Sequence, residues 1–152
     1  QCVVGDINPQ TSWEHATSGV DTVVHLAGRA HVMRDTHNDP LFAYRSVNTE
    51  GTINLARQAA LAGVKRFIFL SSIKVCGEGQ SQTDEDAYTE KHSPIPSDAY
   101  AISKWEAEKG LWVVAETTGL EVVILRPPLV YGPGVGANFL GLMQVWKKPE
   151  NK

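Results

Sequence analysis

The run RFIFL at residues 66–70, followed directly by Ser71-Ser72, decides the reading of the fold. An apolar run of this length, without polar alternation and bounded by small polar residues, reads as a strand buried on both faces. Upstream, TVVHLA at 22–27 has the same character and enters Gly28. Between the two, Tyr44, Val47, Gly51, Leu55 and Ala59 recur at steps of three and four. That rhythm predicts one long helix over 40–62, stopped by Gly63. Downstream, EVVIL at 121–125 is another apolar strand, broken by Pro127-Pro128. It follows a helix that Ser97 or Asp98 can cap and Gly119 can end, with Tyr100, Lys104, Ala107, Leu111 and Val114 on one stripe.

The remaining elements are shorter. Cys2 to Val4 reads as a first strand leaving at Gly5-Asp6, and 11–18 as a short helix with Thr11 or Ser12 as its cap. A Gly-, Ser- and Pro-rich loop runs from the Ser71-Ser72 turn to Pro96, and a last helix is predicted over 138–146. Strands alternating with helices predict an α/β class: a Rossmann-like parallel sheet with helices on both faces and right-handed crossovers. Sites in such sheets gather beyond the carboxyl ends of the strands. Gly5-Asp6, Ala27-Gly28, Ser71-Ser72 and Arg126-Pro127 are therefore where chemistry is sought.

Composition removes several classes of function. With 14 basic and 17 acidic residues the net charge is −3, and no basic cluster suggests a nucleic-acid partner. Two cysteines make no disulfide framework, no apolar run is long enough to span a membrane, and the cytoplasm is the expected location. His15, His31, His37 and His92 lack ligand spacing with Cys or carboxylates, so no metal is expected. His25 lies inside an apolar strand and reads as a core residue. Trp105 and Trp112, seven apart, read as a packing stripe or a helix-pair contact surface.

The chemical candidate is Tyr100-x-x-x-Lys104, because a helix sets residues four apart on one face. An ammonium beside a phenol favours the phenolate, which a free tyrosine, with a pKa near 10, rarely forms at neutral pH. By spacing alone, a core tyrosine with a snorkelling lysine serves equally well. Ser72, where a strand ends, could orient a substrate hydroxyl and relay its proton, or simply cap a turn. Ala27-Gly28 suits close backbone approach to a dinucleotide. Asp6 could accept a hydrogen bond from an adenine amino group or form a turn.

Taken together, VVGDI at 3–7, DTVVHLAGRAHV at 21–32, VNTEGTINL at 47–55, VKRFIFLSSIKVCGE at 64–78, YAISKWEAE at 100–108 and LRPPLVYGPG at 125–134 resemble the extended short-chain dehydrogenase/reductase family. The closest branch is that of the NAD-dependent nucleotide-sugar epimerases and ketoreductases. The likeness runs in order over nearly the whole chain. It implies Tyr100 as catalytic acid/base, Lys104 as the residue that lowers its pKa and binds the nicotinamide ribose, and Ser72 as the third catalytic residue. It implies Asp6 and Ile7 flanking adenine, and Leu26, Ala27 and Gly28 lining the pyrophosphate and ribose. Asn48 would lie beneath the cofactor and Pro127 against the nicotinamide, with Tyr131 and Asn138 contacting the nucleotide sugar.

The implied cofactor is NAD, with NADP as an alternative. The implied reaction is 4-epimerisation of a nucleotide-diphosphate sugar such as UDP-glucose or UDP-N-acetylglucosamine, by transient hydride transfer. A 4-ketoreductase and a non-catalytic nucleotide-binding module are the alternatives. Dehydratases of the family carry Asp-Glu after the active-site Thr; here Ile73-Lys74 follows Ser72, which disfavours water elimination. The resemblance also implies a homodimer through helices 40–62 and 98–118, a surface to which the Trp105 and Trp112 stripe would contribute. It implies a partial NAD(P)-binding Rossmann domain over 1–152, lacking the family's first two strands, its glycine-rich phosphate loop and most of its substrate domain. The strand at Cys2 to Val4 is accordingly expected to be loose, displaced or paired with another chain. Cofactor binding by these residues alone is expected to be weak, because the glycine-rich loop supplies the backbone donors to the pyrophosphate.

Overall fold

The computed structural model describes residues 2–30, 39–77, 89–90 and 92–130. Three strands form one parallel sheet in the order β1-β2-β3: β1 Thr22–His25, β2 Arg66–Leu70 and β3 Glu121–Leu125. Val23 pairs with Phe67 and Phe67 with Val122; His25 pairs with Phe69 and Phe69 with Ile124. Because side chains alternate along a strand, these two rows point to one face. There Phe67 and Phe69 join Leu55, Ala56, Ala59, Ala107, Leu111 and Val114 in the core.

The helices that cover this face come from two stretches. Residues 40–61 form a continuous helical run, α2 Pro40–Tyr44, a π-helical segment Arg45–Gly51, and α3 Thr52–Leu61. Pro40 stands at the first position, and the Asp39 carboxylate accepts from Phe42 N–H. The single long helix expected over 40–62 thus contains a widened π turn, which holds the buried Asn48 and Thr49. Such turns are frequent at functional sites. The second helix, α4 Ala99–Thr118, is capped by Asp98 and stopped by Gly119 at φ 75°, a left-handed conformation that glycine tolerates best.

Three expectations need correction. Cys2 to Val4 forms no strand: Val3 is 88% exposed, while Val4 and Ile7 lean on the core from outside. The run has no ladder partner among the described residues, so its β propensity goes unused. The short helix α1 spans only Glu14–Thr17 with Trp13 as its cap, because Thr11 is engaged elsewhere. Its hydroxyl accepts from Asn8 N–H and donates to the Asp6 carbonyl, closing a loop instead. Finally, β1 is not buried on both faces: Val24 is 56% exposed, since no described element packs on that side of the sheet. The helix expected over 138–146 lies outside the described residues.

Candidate active site

The site forms where β1, β2 and β3 end. Leaving β1, the chain turns at Leu26, Ala27 and Gly28, all exposed. Asn48, buried in the π segment, holds this turn from beneath: its Oδ1 accepts from Arg29 N–H at 2.8 Å and its Nδ2 donates to Arg29 O at 3.0 Å. The same Nδ2 donates to Ser103 Oγ on α4, so one amide registers three elements. A Cβ on Gly28 would stand 2.9 Å from Asn48 Oδ1 and 3.3 Å from Lys104 Nζ. Only glycine lets this backbone lie so close to both.

Lys104 projects from α4 into the same place. Its ammonium donates to the Leu70 carbonyl at the end of β2 and lies 4.5 Å above the Phe69 ring. The residue is only 3% exposed, and burial pulls its pKa from 10.5 to about 8. Nearby His25 is also buried; burial and the Lys104 charge bring its pKa to about 4. It is therefore neutral, with Nε2 3.0 Å from Thr52 Oγ1 and its ring stacked on Phe69, which agrees with a core role.

Tyr100 starts α4 one turn earlier, half-buried, its ring edge-on to Tyr44. Its pKa is raised. Burial is the main cause, opposed by a hydrogen bond with Ser72 and by the Lys74 charge, and assisted by Asp98 and Tyr44. The expected depression by Lys104 is not what this arrangement produces: Lys104 is engaged with Leu70 and Phe69, and Ser72 and Lys74 are the groups that favour the phenolate. Ser72 opens the 3₁₀ turn Ile73–Cys76, and its hydroxyl accepts from Lys74 N–H. The turn is tied to β3 because Ile73 N–H donates to the Pro127 carbonyl, which puts the half-buried Pro127 beside Ser72.

Tyr100, Lys104, Ser72, Gly28, Asn48 and Pro127 therefore converge. Asp6 and Ile7 sit further along the same helical platform, with Ile7 Cγ2 2.7 Å from where a Cβ on Gly51 would be. Tyr131 and Asn138 lie outside the described residues. Trp105 and Trp112 line a cleft of about 650 Å³ with Ile73, Cys76, Pro94 and Arg126. Their flank of α4 is not the one that meets α2 and α3, where Arg45 binds Glu106 with two hydrogen bonds.

Sequence reasoning missed the group that aligns the strand ends. Glu108, 1% exposed on α4, accepts from Ser71 Oγ and from both Nε and Nη2 of Arg126. It thereby fastens the ends of β2 and β3 to the helix that carries Tyr100 and Lys104. The signal was present: Tyr100, Lys104 and Glu108 are spaced by fours, and a carboxylate among Ala107 and Leu111 demands a buried partner.

Residues 1–144 match the NAD dependent epimerase/dehydratase family. The chain belongs to this family. It is 52% identical over 145 residues to a UDP-glucose 4-epimerase of Vibrio cholerae, covering 95% of this chain and 44% of that protein. It is 33% identical to an N-acetyl-alpha-D-glucosaminyl-diphospho-ditrans,octacis-undecaprenol 4-epimerase of Escherichia coli O157:H7, covering 93% and 40%. Among solved structures, the UDP-glucuronic acid 4-epimerase of Bacillus cereus in complex with NAD aligns with a TM-score of 0.72 at 27% identity, over 88% of this chain and 40% of that one. The chain spans less than half the length of these relatives. Membership in this family accounts for the parallel sheet. No helix among the described residues is long and apolar enough to cross a membrane.

Proposed function

We propose that the protein containing this chain is a cytoplasmic NAD-dependent 4-epimerase of nucleotide-diphosphate sugars of the UDP-glucose or UDP-N-acetylglucosamine type. The observation that carries the reading is the meeting of Ser72, Tyr100 and buried Lys104 beside the Gly28 turn, in a chain whose relatives include 4-epimerases.

The residues present fit the nicotinamide half of NAD. The Lys104 ammonium has three donors and one hydrogen bond among the described residues, to Leu70. That leaves donors for ribose hydroxyls. The exposed Leu26-Ala27-Gly28 backbone, with no room for a Cβ at Gly28, offers the close surface that a dinucleotide needs. Lys104, Gly28 and Pro127 would hold this half over Asn48, and Asp6 with Ile7 the adenine half. Bound NAD supplies the oxidant that accepts hydrogen from the sugar carbon and later returns it.

The chain's own residues handle the proton. Ser72 orients the sugar hydroxyl and Tyr100 exchanges its proton. Hydrogen bonding to Ser72 and the Lys74 charge favour the phenolate that accepts it, against burial and Asp98. The cation of Lys104, held by the Leu70 carbonyl, stays in place through both half-reactions. Two copies would pair through helices 40–62 and 98–118, a reading supported by the exposure of Phe42 and of Val113, which shares a face of α4 with Glu106.

A 4-ketoreductase is the second reading. It is favoured by the raised pKa of Tyr100, because reduction of a ketone starts from the protonated phenol. Full-length protein incubated with UDP-glucose and catalytic NAD separates the two. An epimerase yields UDP-galactose with no net change in NADH absorbance. Failure to interconvert the sugars, with stoichiometric NADH consumption on a 4-keto sugar, would overturn the first reading in favour of the second.

A further inference from the structure

Lys74 and Asp98 stand outside the six converging residues, yet they connect the two segments that present Ser72 and Tyr100. Lys74 Nζ lies 2.9 Å from Asp98 Oδ2, and the backbone N–H of Lys74 donates to Ser72 Oγ. The other oxygen of Asp98 accepts from Ala101 N–H at 2.7 Å, capping the helix in which Tyr100 is the second residue. A side chain, a backbone and a cap thus make one continuous link from Ser72 to the first turn of α4. We infer that Lys74 is a positioning residue, which by bridging to Asp98 holds the turn that carries Ser72 against the first turn of α4, where Tyr100 stands.

The inference rests on the assignment of Tyr100 and Ser72 as the proton-handling pair. Its geometry is specific because the ion pair crosses from the 3₁₀ turn to the helix cap, 24 residues apart, rather than lying along one element. Its electrostatics have a sign. The groups facing the phenol are Ser72, Lys74, Asp98 and Tyr44; Arg29 lies over the Tyr44 ring, and Lys104 lies one turn further along α4. Of the ion pair, Lys74 favours the phenolate and Asp98 opposes it. For the Asp98 carboxyl itself, burial pushes the pKa up, and the Ala101 N–H and the Lys74 ammonium outweigh that to leave it lowered. As a bridge the link is lost when either end is removed, whereas the direct effects of the two charges on the phenol have opposite signs.

The test is the titration of Tyr100 in the full-length protein, read as the phenolate absorbance of each variant minus that of its Tyr100→Phe counterpart. Lys74→Met is expected to raise the Tyr100 pKa by on the order of one unit, and Asp98→Asn to lower it. Lys74→Arg should restore most of the wild-type value. Both side chains of the pair are substantially exposed, and asparagine caps a helix about as well as aspartate. Thermal melts of these variants should therefore remain near wild type. With UDP-glucose as substrate, kcat/KM of Lys74→Met and of Asp98→Asn near neutral pH should each fall about tenfold, with Lys74→Arg recovering it. Wild-type kcat/KM in both Lys74→Met and Asp98→Asn, or a loss in Lys74→Met that Lys74→Arg does not recover, would overturn the positioning role. Absence of wild-type turnover on UDP-glucose, with the two opposite shifts observed, would instead count against the epimerase reading and leave the link intact.

Discussion

The carboxyl edge of the sheet and the N-terminal segment both carry candidate cofactor contacts, and they are held in different ways. At the sheet edge three buried side chains make directional bonds. Asn48 grips Arg29 and Ser103, Glu108 grips Ser71 and Arg126, and Lys104 grips Leu70. Residues 2–8 rest on the core mainly through the side chains of Val4 and Ile7, with loop bonds to Thr11 and one long-range bond from Asn54 Nδ2 to the Asn8 carbonyl. The difference teaches that reaction geometry and ligand reach are separate demands. Atoms that exchange protons need placement to fractions of an ångström, which hydrogen bonds to buried groups supply. A segment that only covers one end of a dinucleotide can be set by apolar contact.

Substitutions can break this contrast at either end. The largest effect is expected for Glu108→Ala, which leaves the Arg126 guanidinium without its carboxylate and frees the ends of β2 and β3. A loss of about 3–5 kcal/mol in urea unfolding is expected, as for other broken buried pairs. Acid should act next. The His25 pKa is 6.5 when unfolded and about 4 when folded, so the unfolded chain binds more protons between these values. Stability is complete above pH 6.5 and falls as the pH drops toward 4, by about 3 kcal/mol in all. His25→Gln should flatten that part of the profile of unfolding midpoint against pH.

Gly28→Ala should cost about 1–2 kcal/mol in stability, because Asn48 and Lys104 must give way to the new methyl group. It should weaken NADH binding, read by fluorescence titration of the full-length protein, more than it affects folding. At the other end the effects shrink. Val3→Ser, at a side chain that is 88% exposed, should change stability by no more than about 0.5 kcal/mol. A large change there would mean that the N-terminal segment is built like the sheet edge, and the contrast would fail.

Much of the sheet edge was legible in sequence for a physical reason. Runs such as RFIFL and EVVIL announce strands, and the structure places both with the expected bounds, although only Phe67 and Phe69 of the two are fully buried. The cap and stop of α4 at Asp98 and Gly119 are local chemistry, readable within a few residues. The π turn around Asn48 was not readable, because it depends on what the amide must reach on other elements. Cys2 to Val4 has the composition of a strand but lies outside the sheet, as the resemblance implied, because apolar β-branched residues form a strand only when a neighbour supplies the ladder. The phenol's raised pKa was also hidden: four residues on a helix fix proximity, but burial and the direction of the Lys104 ammonium decide the electrostatics.

The most direct test of the proton-handling role is turnover by Tyr100→Phe in the full-length protein, measured with UDP-glucose and NAD alongside NADH binding. Turnover should fall by roughly 10² to 10⁴ while NADH affinity stays within about threefold of wild type. Turnover close to wild type in that variant would contradict the assignment of Tyr100 and, with it, the site assembled around Ser72 and Lys104.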